Sequence, residues 1–342
     1  MSLSPSLATP IQLDSHIRPM MLVVVDTEEE FDWDKPFSRD ARSTENMREQ
    51  HKAQAILDRH GAKPLYVIDH PVATDPWATG WLRETLQDDR AEVGSHLHTW
   101  VTPPYSEAVS SKNSYGCNLD PALEREKIQV LTDSVAENVG VMPVHFRAGR
   151  YGLGFGTLRT LRDLGYRTEL SIAPHSNFAR DGGPSFYGWS NEPYWHGTAG
   201  GLLGIPVTTG FSGHAKGLGP LGAPLLDNSV VQTLRVPGAL AGMGLLERCR
   251  LTIENVPCSA LKRVMTSLVQ DGQRLLTISY HSSTLLPGAT TYARTEAKRD
   301  ELLDCLDKTL EYFTQNLGGR LVSVSAAEQE IRQHENLPFS NP

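Results

Sequence analysis

The sequence predicts a mixed α/β protein: a distorted (β/α)7-type barrel of parallel strands with outer helices, in a single domain. Three observations predict it. Short apolar, β-branched runs alternate with helix-spaced segments along nearly the whole chain, which implies a parallel sheet with helices outside it. No low-complexity linker interrupts the series, and 342 residues suit one large barrel better than two ordinary domains. The mix of 39% hydrophobic and 21% charged residues is that of a globular chain and excludes bulk disorder.

The elements follow in order. Residues 1–18 read as a flexible leader. Residues 20–25 are a continuous apolar run between Pro19 and a burst of acid, the pattern of a strand buried on both faces. Helical spacing of Met47, Ala53, Ile56 and Leu57 predicts a helix over 45–60, stopped by Gly61. A second strand covers 64–69, a helix 77–90 and a third strand 91–98. Asp120 as N-cap, Pro121 in the first turn and Gly140 past the end frame a helix over 120–139. Strand 143–148, helix 158–164 and strands 167–172 and 202–207 come next. Helix 259–270, strand 274–281, a long helix over 295–316, a strand at 320–324 and a short helix complete the domain, 19–335. A tail covers 336–342. The stretch 173–258 is irregular and rich in Gly and Pro. It reads as long loops over one barrel face, where ligands would be handled.

Charge and cysteine usage exclude several classes. The 32 Lys+Arg against 40 Asp+Glu leave a net charge of −8, with no basic surface of the kind nucleic acid needs. Cys117, Cys249, Cys258 and Cys305 form no CxxC pair, which argues against a cysteine zinc site or a disulfide scaffold. Residues 1–18 lack a basic segment followed by an apolar run, and no stretch of about 18 apolar residues occurs. The expectation is a cytoplasmic protein with no transmembrane segment.

Several strands end in polar clusters, and the C-terminal ends of parallel strands are where functional groups gather. The first cluster is Asp26-Thr27-Glu28-Glu29-Glu30. Alternation puts Asp26 and Glu28 on one face, about 7 Å apart along the strand. Two such carboxylates require a cation or a positive side chain, unless the acids serve a helix N-terminus. In Gly94-Ser95-His96-Leu97-His98, both histidines project to one side, as ligands of one metal ion or as packed histidines. Arg147, in Phe146-Arg147-Ala148-Gly149-Arg150-Tyr151-Gly152, ends a buried strand and needs an anionic partner. Asp26 is the natural candidate, in a functional or a structural pair. His281, in Tyr280-His281-Ser282-Ser283, suits proton transfer near neutral pH or a backbone bond in the core. Ser282 and Ser283 lie in no Gly-x-Ser-x-Gly elbow, which disfavours a serine hydrolase.

Taken in order across residues 20–325, these segments resemble the motifs of the polysaccharide deacetylases, the NodB-homology group or carbohydrate esterase family 4. Asp26-Thr27-Glu28 matches the acidic first motif, Gly94-Ser95-His96 the second with its metal-binding histidine, Arg147 to Gly152 the arginine-containing third, and His281 the last. Two positions depart. Glu28 stands where the family has a metal-binding aspartate. Trp100 stands four residues after His96, where the family has its second metal histidine, and the resemblance implies that His98 would take that role from the same strand face as His96.

The resemblance implies a divergent member of the family. A divalent metal, Zn²⁺ first and Co²⁺, Mn²⁺ or Ni²⁺ as alternatives, would be held by Glu28, His96 and His98. Asp26 would be the general base, Arg147 its orienting partner and His281 the acid that protonates the leaving amine. The expected substrate-binding residues are Trp33, Trp100, Arg150 and Tyr151. Aromatic faces suit sugar rings, and the Tyr151 amide would meet the oxyanion. Tyr105, Trp189 and Trp195 also flank the motifs or lie in the loop-rich stretch. The implied reaction is hydrolysis of an amide C–N bond in an N-acetylated sugar or glycan precursor. The alternatives are a hydrolase of a non-sugar or cyclic amide, and an inactive barrel in surface-polysaccharide production, which the loss of the histidine at Trp100 would favour.

Overall fold

The most apolar run of the N-terminal half forms a strand next to one end of the main sheet. In the computed structural model, which describes residues 3–31 and 35–337, the strands are β1 (Ala8–Pro10), β2 (Met20–Thr27), β3 (Leu65–Ile68), β4 (Glu92–Leu97), β5 (His145–Ala148), β6 (Thr168–Glu169), β7 (Tyr194–His196), β8 (Leu202–Gly204), β9 (Thr209–Ser212), β10 (Glu247–Arg250), β11 (Leu275–His281) and β12 (Arg320–Leu321). Every residue of β2 is buried, as a strand covered on both faces must be. Its alternate side chains enter two cores. Met21, Val23 and Val25 pack with Ile128, Leu131 and Leu161 of the surrounding helices. Met20, Leu22 and Val24 pack inward with Leu65, Leu275 and Ile331. Each such buried side chain contributes about 1.5–3 kcal/mol.

β11, β2, β3, β4, β5 and β6 pair in parallel, each with the next, and β6 pairs in parallel with β8. β12 pairs with the start of β2. β7 and β1 add antiparallel strands at the far edge. The sheet curls into a half barrel, and irregular backbone fills the gap beside β11. The Leu251 N–H bonds to the Thr208 carbonyl at 2.9 Å, and the Ser279 N–H to the Leu251 carbonyl at 3.0 Å. The architecture is thus a single-domain α/β fold with a curled, mostly parallel sheet, consistent with the distorted barrel expected.

Helices Gln50–Arg59, Pro76–Gln87, Pro121–Val139, Phe155–Asp163, Cys258–Gln270 and Glu296–Gln315 alternate with the strands. The N-cap read at Asp120 accepts the Ala122 N–H at 2.9 Å, and Gly140 closes that helix at φ 87°, a left-handed conformation that glycine adopts without strain. Among the described residues, no helix is long and apolar enough to cross a membrane.

Three expectations need correction. The leader is not loose throughout. Ala8–Pro10 pairs with β7, and Ile11 is buried in the inner core. A three-residue edge strand that includes Thr and Pro carries too little alternation to be read. The stretch 173–258 is also more than loops. It holds β7 to β10 and three short helices, Gly219–Leu226, Ser229–Thr233 and Val236–Gly242. β9 and β10 form an antiparallel pair separate from the main sheet. The strands expected over 167–172 and 320–324 shrink to two residues each, at β6 and β12.

Candidate active site

Cross-strand register assembles the first part of the site. His281 lies opposite Asp26 where β11 meets β2, and His96 lies opposite Arg147 where β4 meets β5. Parallel strands therefore carry residues from distant segments to one rim. Arg147 is completely buried. Its Nη1 donates to Asp26 Oδ1 at 2.5 Å and its Nε to the Leu170 carbonyl at 3.0 Å. Breaking such a buried pair is costly, because it leaves a charge without compensation. Burial alone would push the Asp26 carboxyl up, but Arg147, with His96 and His281, holds it below the usual carboxylate range.

Glu28, His96 and His98 converge beside this pair. Glu28 Oε2 is 3.7 Å from His96 Nε2 and 3.4 Å from His98 Nε2. All three side chains are buried, and their donor atoms lie within 4.8 Å of one another. Both rings are held from behind at Nδ1. That of His96 meets the Arg147 carbonyl at 3.1 Å, and that of His98 meets Glu29 Oε2 at 2.7 Å. A neutral imidazole donating at Nδ1 keeps its Nε2 lone pair for a ligand, the arrangement found behind metal-binding histidines. Burial lowers the His98 pKa although Glu28 and Asp69 oppose it, which favours the neutral, ligating form. Burial would raise Glu28, but His281, His96 and His98 bring it below its ordinary value. Two imidazoles and a carboxylate are a donor set that suits catalytic Zn²⁺. The group is a possible metal-binding site.

His281 completes the polar floor. Its Nε2 is 3.7 Å from Asp26 Oδ2. Its Nδ1 and its backbone N–H meet the two carboxylate oxygens of Glu254 at 2.8 and 3.0 Å, and the Thr284 hydroxyl donates to Glu254 at 2.5 Å. Burial would lower the imidazole pKa, but Glu254, followed by Glu28 and Asp26, raises it well above its ordinary value. That direction favours the protonated ring. Glu254 was missed in the sequence because it lies in the irregular stretch. Its only signal there is an acid next to an apolar residue, in Thr252-Ile253-Glu254.

These groups open into a cleft of about 290 Å³ whose walls include Tyr115, Tyr151, Phe178 and Tyr292. The backbone turns sharply at its edge. Gly149 admits no side chain, since a Cβ there would lie 2.3 Å from the Leu97 carbonyl oxygen and 2.6 Å from the His98 ring. Arg150 and Tyr151 follow at φ 53° and 60°. Left-handed residues with side chains cost about 1–3 kcal/mol each and concentrate at functional sites. The turn places the Arg150 guanidinium 4.2 Å from the Tyr115 ring centroid and stacks Tyr151 on Phe178 at 5.5 Å.

No sequence-family model and no curated protein matches the chain. Solved structures do match. A Mycobacterium smegmatis protein described as a polysaccharide deacetylase is similar at a TM-score of 0.56 and 15% identity, covering 98% of each chain. A Pseudomonas aeruginosa PAO1 protein of the same description reaches 0.52 and 15%, covering 95% of this chain and 93% of its own. Puue allantoinase reaches 0.56 and 14%, with coverage of 95% and 93%. The chain has the polysaccharide-deacetylase fold.

Within the polysaccharide-deacetylase fold, the tryptophan in place of a histidine takes on a supporting part. Trp100 is 2% exposed and does not reach the cleft, which corrects its expected contact with substrate. Its ring stacks on His98 at 4.3 Å, and its Nε1 donates to Glu29 Oε1 at 2.8 Å, while the other Glu29 oxygen holds His98. Asp69 Oδ2 accepts the Glu29 N–H at 2.9 Å. Burial, with the charge of Glu28 beside it, pushes Glu29 up to about 8. Burial and Glu29 push Asp69 well above its ordinary value. Glu29, Asp69 and His98 also converge closely enough to ligate, but these hydrogen bonds already engage them. Trp189 and Trp195 are buried as well. Trp33 lies outside the described residues. Of the expected substrate-binding residues, Arg150 and Tyr151 line the cleft.

Proposed function

We propose that this chain is a metal-dependent amide hydrolase of the polysaccharide-deacetylase family that removes the acetyl group from an N-acetylated sugar or glycan precursor. One observation carries the reading. Asp26 is held by Arg147 on one side and faces His281 on the other, next to the buried group of Glu28, His96 and His98.

Those three residues would hold the divalent cation. Their donors suit Zn²⁺ and also accept Co²⁺, Mn²⁺ or Ni²⁺. When bound, the cation supplies acidification of water and polarisation of the amide carbonyl. Asp26, kept ionised by Arg147, takes a proton from the attacking water. Arg147 occupies Oδ1 and so leaves Oδ2, the oxygen nearer His281, for that transfer. His281, charged and aimed by Glu254, gives its Nε2 proton to the departing nitrogen. The nitrogen then leaves as a neutral amine, with acetate as the other product. The rings of Tyr151, Phe178 and Tyr292 give apolar faces to the CH side of a sugar.

A second reading is favoured by the equal likeness to an allantoinase: the same residues would open a non-sugar or cyclic amide. The inactive-barrel reading rested on Trp100, and the hydrogen bond from that indole to Glu29 supports His98 instead.

The test is acetate release from N-acetylglucosamine oligomers by Zn²⁺-loaded protein, with elemental analysis alongside. Stoichiometric metal is expected, with turnover reduced about 10²–10⁴-fold in Asp26→Asn and in His281→Ala. Undiminished turnover in both variants, or protein that retains no metal, overturns the reading. Opening of a cyclic amide without acetate release selects the second.

A further inference from the structure

Arg250 ends β10 and lines the same cleft as Asp26 and His281. Its neighbours differ from those of the other arginines nearby. Arg147 is paired with Asp26, Arg150 has Asp181 at 3.8 Å, and Arg248 has Asp227 at 2.5 Å. Among the described residues, no carboxylate lies within 4.0 Å of Arg250. Its Nη1 donates to the Tyr151 hydroxyl at 3.2 Å and its Nη2 to the Ser176 hydroxyl at 3.0 Å. Its Cζ lies 5.0 Å from the Tyr151 ring centroid. The guanidinium is half-buried, so it has given up part of its hydration, and two neutral oxygens replace only some of what a charge requires.

The hydroxyls point the same way. A hydroxyl that accepts from a guanidinium keeps its own proton to donate. Ser176 directs its proton to the Pro174 carbonyl at 3.4 Å. The Tyr151 hydroxyl has no acceptor among the described residues. An uncompensated planar cation and an unused phenol O–H therefore meet in the cleft, on a ring fixed by a strained turn. Guanidinium forks match carboxylate and phosphate oxygens, and a charge-assisted bond is about twice as strong as a neutral one.

We infer that Arg250 and the Tyr151 hydroxyl form an oxyanion-binding subsite, and that the molecule hydrolysed carries a carboxylate or phosphate in addition to its amide. This rests on the hydrolase reading above and narrows it to acidic N-acyl sugars. Arg250 then determines specificity, while Asp26 and His281 do the chemistry.

The experiment compares N-acetylglucosamine with N-acetylglucosamine 6-phosphate and with the corresponding N-acetylated hexosaminuronic acid, so that the two anionic arms separate phosphate from carboxylate. Acetate release and calorimetric Kd are measured on metal-loaded wild type, Arg250→Gln and Arg250→Lys. Wild type is expected to favour one anionic sugar by about tenfold or more. Arg250→Gln loses roughly ten- to hundredfold on that sugar, in KM and Kd rather than kcat, the range for a hydrogen bond to a charged group. It loses clearly less on the neutral sugar, and Arg250→Lys recovers part of the loss because it keeps charge without the fork. Equal binding of neutral and anionic sugars by wild type overturns the inference. So does an equal loss on both in Arg250→Gln, which a merely structural tie to Tyr151 would produce. Anion-selective binding through Arg250 without acetate release from any sugar upholds the subsite and defeats the hydrolase reading instead.

Discussion

On one side of the cleft, Asp26, His96 and Arg147 stand at the ends of the parallel strands β2, β4 and β5, and register, carried from β2 to β4 through β3, brings them together. On the other side, Glu254 and Arg250 come from the 173–258 stretch, and reach the site through β10 and the irregular backbone that follows it. The first wall is almost wholly buried, and each of its side chains is held by another. Arg250 on the second wall is half-buried and tied only to hydroxyls. The difference separates two demands. Holding a cation and a base needs positions fixed by a sheet, whereas recognition can be carried by an insert that varies without disturbing that sheet.

The strongest way to break this division is to remove a proposed metal ligand from the rigid wall. His98→Ala should abolish stoichiometric metal binding, measured by elemental analysis after dialysis, and acetate release with it. Its effect should exceed the ten- to hundredfold loss that outer partners of metal ligands give. Glu29→Gln tests the outer layer directly. It keeps the shape but replaces the acceptor that faces His98 Nδ1. Metal affinity should fall by about ten- to hundredfold in a chelator competition, with the fold intact by circular dichroism. Unchanged affinity would mean that Glu29 and Trp100 merely pack.

A smaller effect is expected on the second wall. Glu254→Gln removes the largest charge that raises the His281 pKa. The imidazolium should then lose its proton at lower pH, so the alkaline limb of the kcat/KM profile moves down. Turnover at pH 8 should drop by about tenfold, part of the 10²–10⁴ that acid–base help is worth. An alkaline limb that stays in place would show that another group is the acid.

The walls also differ in how far they could be read from residues. A buried strand announces itself by an unbroken apolar run, and an Asp-x-Glu or His-x-His at its end is a local pattern. β2, β4, β5 and β11 were legible for that reason, and the structure brings Asp26, His96, His98, Arg147 and His281 together at their ends. β10 reads Glu247-Arg248-Cys249-Arg250, with no apolar face to mark a strand, because its charges are met by Arg263 and Asp227 from elsewhere. Glu254 and Arg250 gain meaning only from partners that the folded chain supplies. Trp100 shows the same limit within the legible wall. Its aromatic character suggested a sugar platform, and only its bond to Glu29, 71 residues earlier, reveals a support.

The remaining effect expected is one of stability rather than turnover, in the layer behind the turn that joins the walls. Glu124 lies in the first turn of helix Pro121–Val139, where the helix dipole favours a charged carboxylate. Burial wins there. The side chain is 2% exposed, accepts from the Thr157 hydroxyl, and is pushed up to about 7. A Cβ on Gly156 would come within 2.9 Å of Glu124 Oε2, so the carboxyl fills space directly behind the residues that follow Tyr151. A carboxyl raised in the folded state adds its full stability below the unfolded pKa and loses it as pH climbs through the folded value. Wild type should therefore weaken between pH 5 and pH 8 relative to Glu124→Gln, which does not titrate. A shift from 4.5 to about 7 corresponds to a change of up to about 3 kcal/mol. Denaturant unfolding at the two pH values measures it. A constant difference between the proteins would mean that water reaches Glu124, and that the turn carrying Arg150 and Tyr151 rests on a wet layer rather than a dry one.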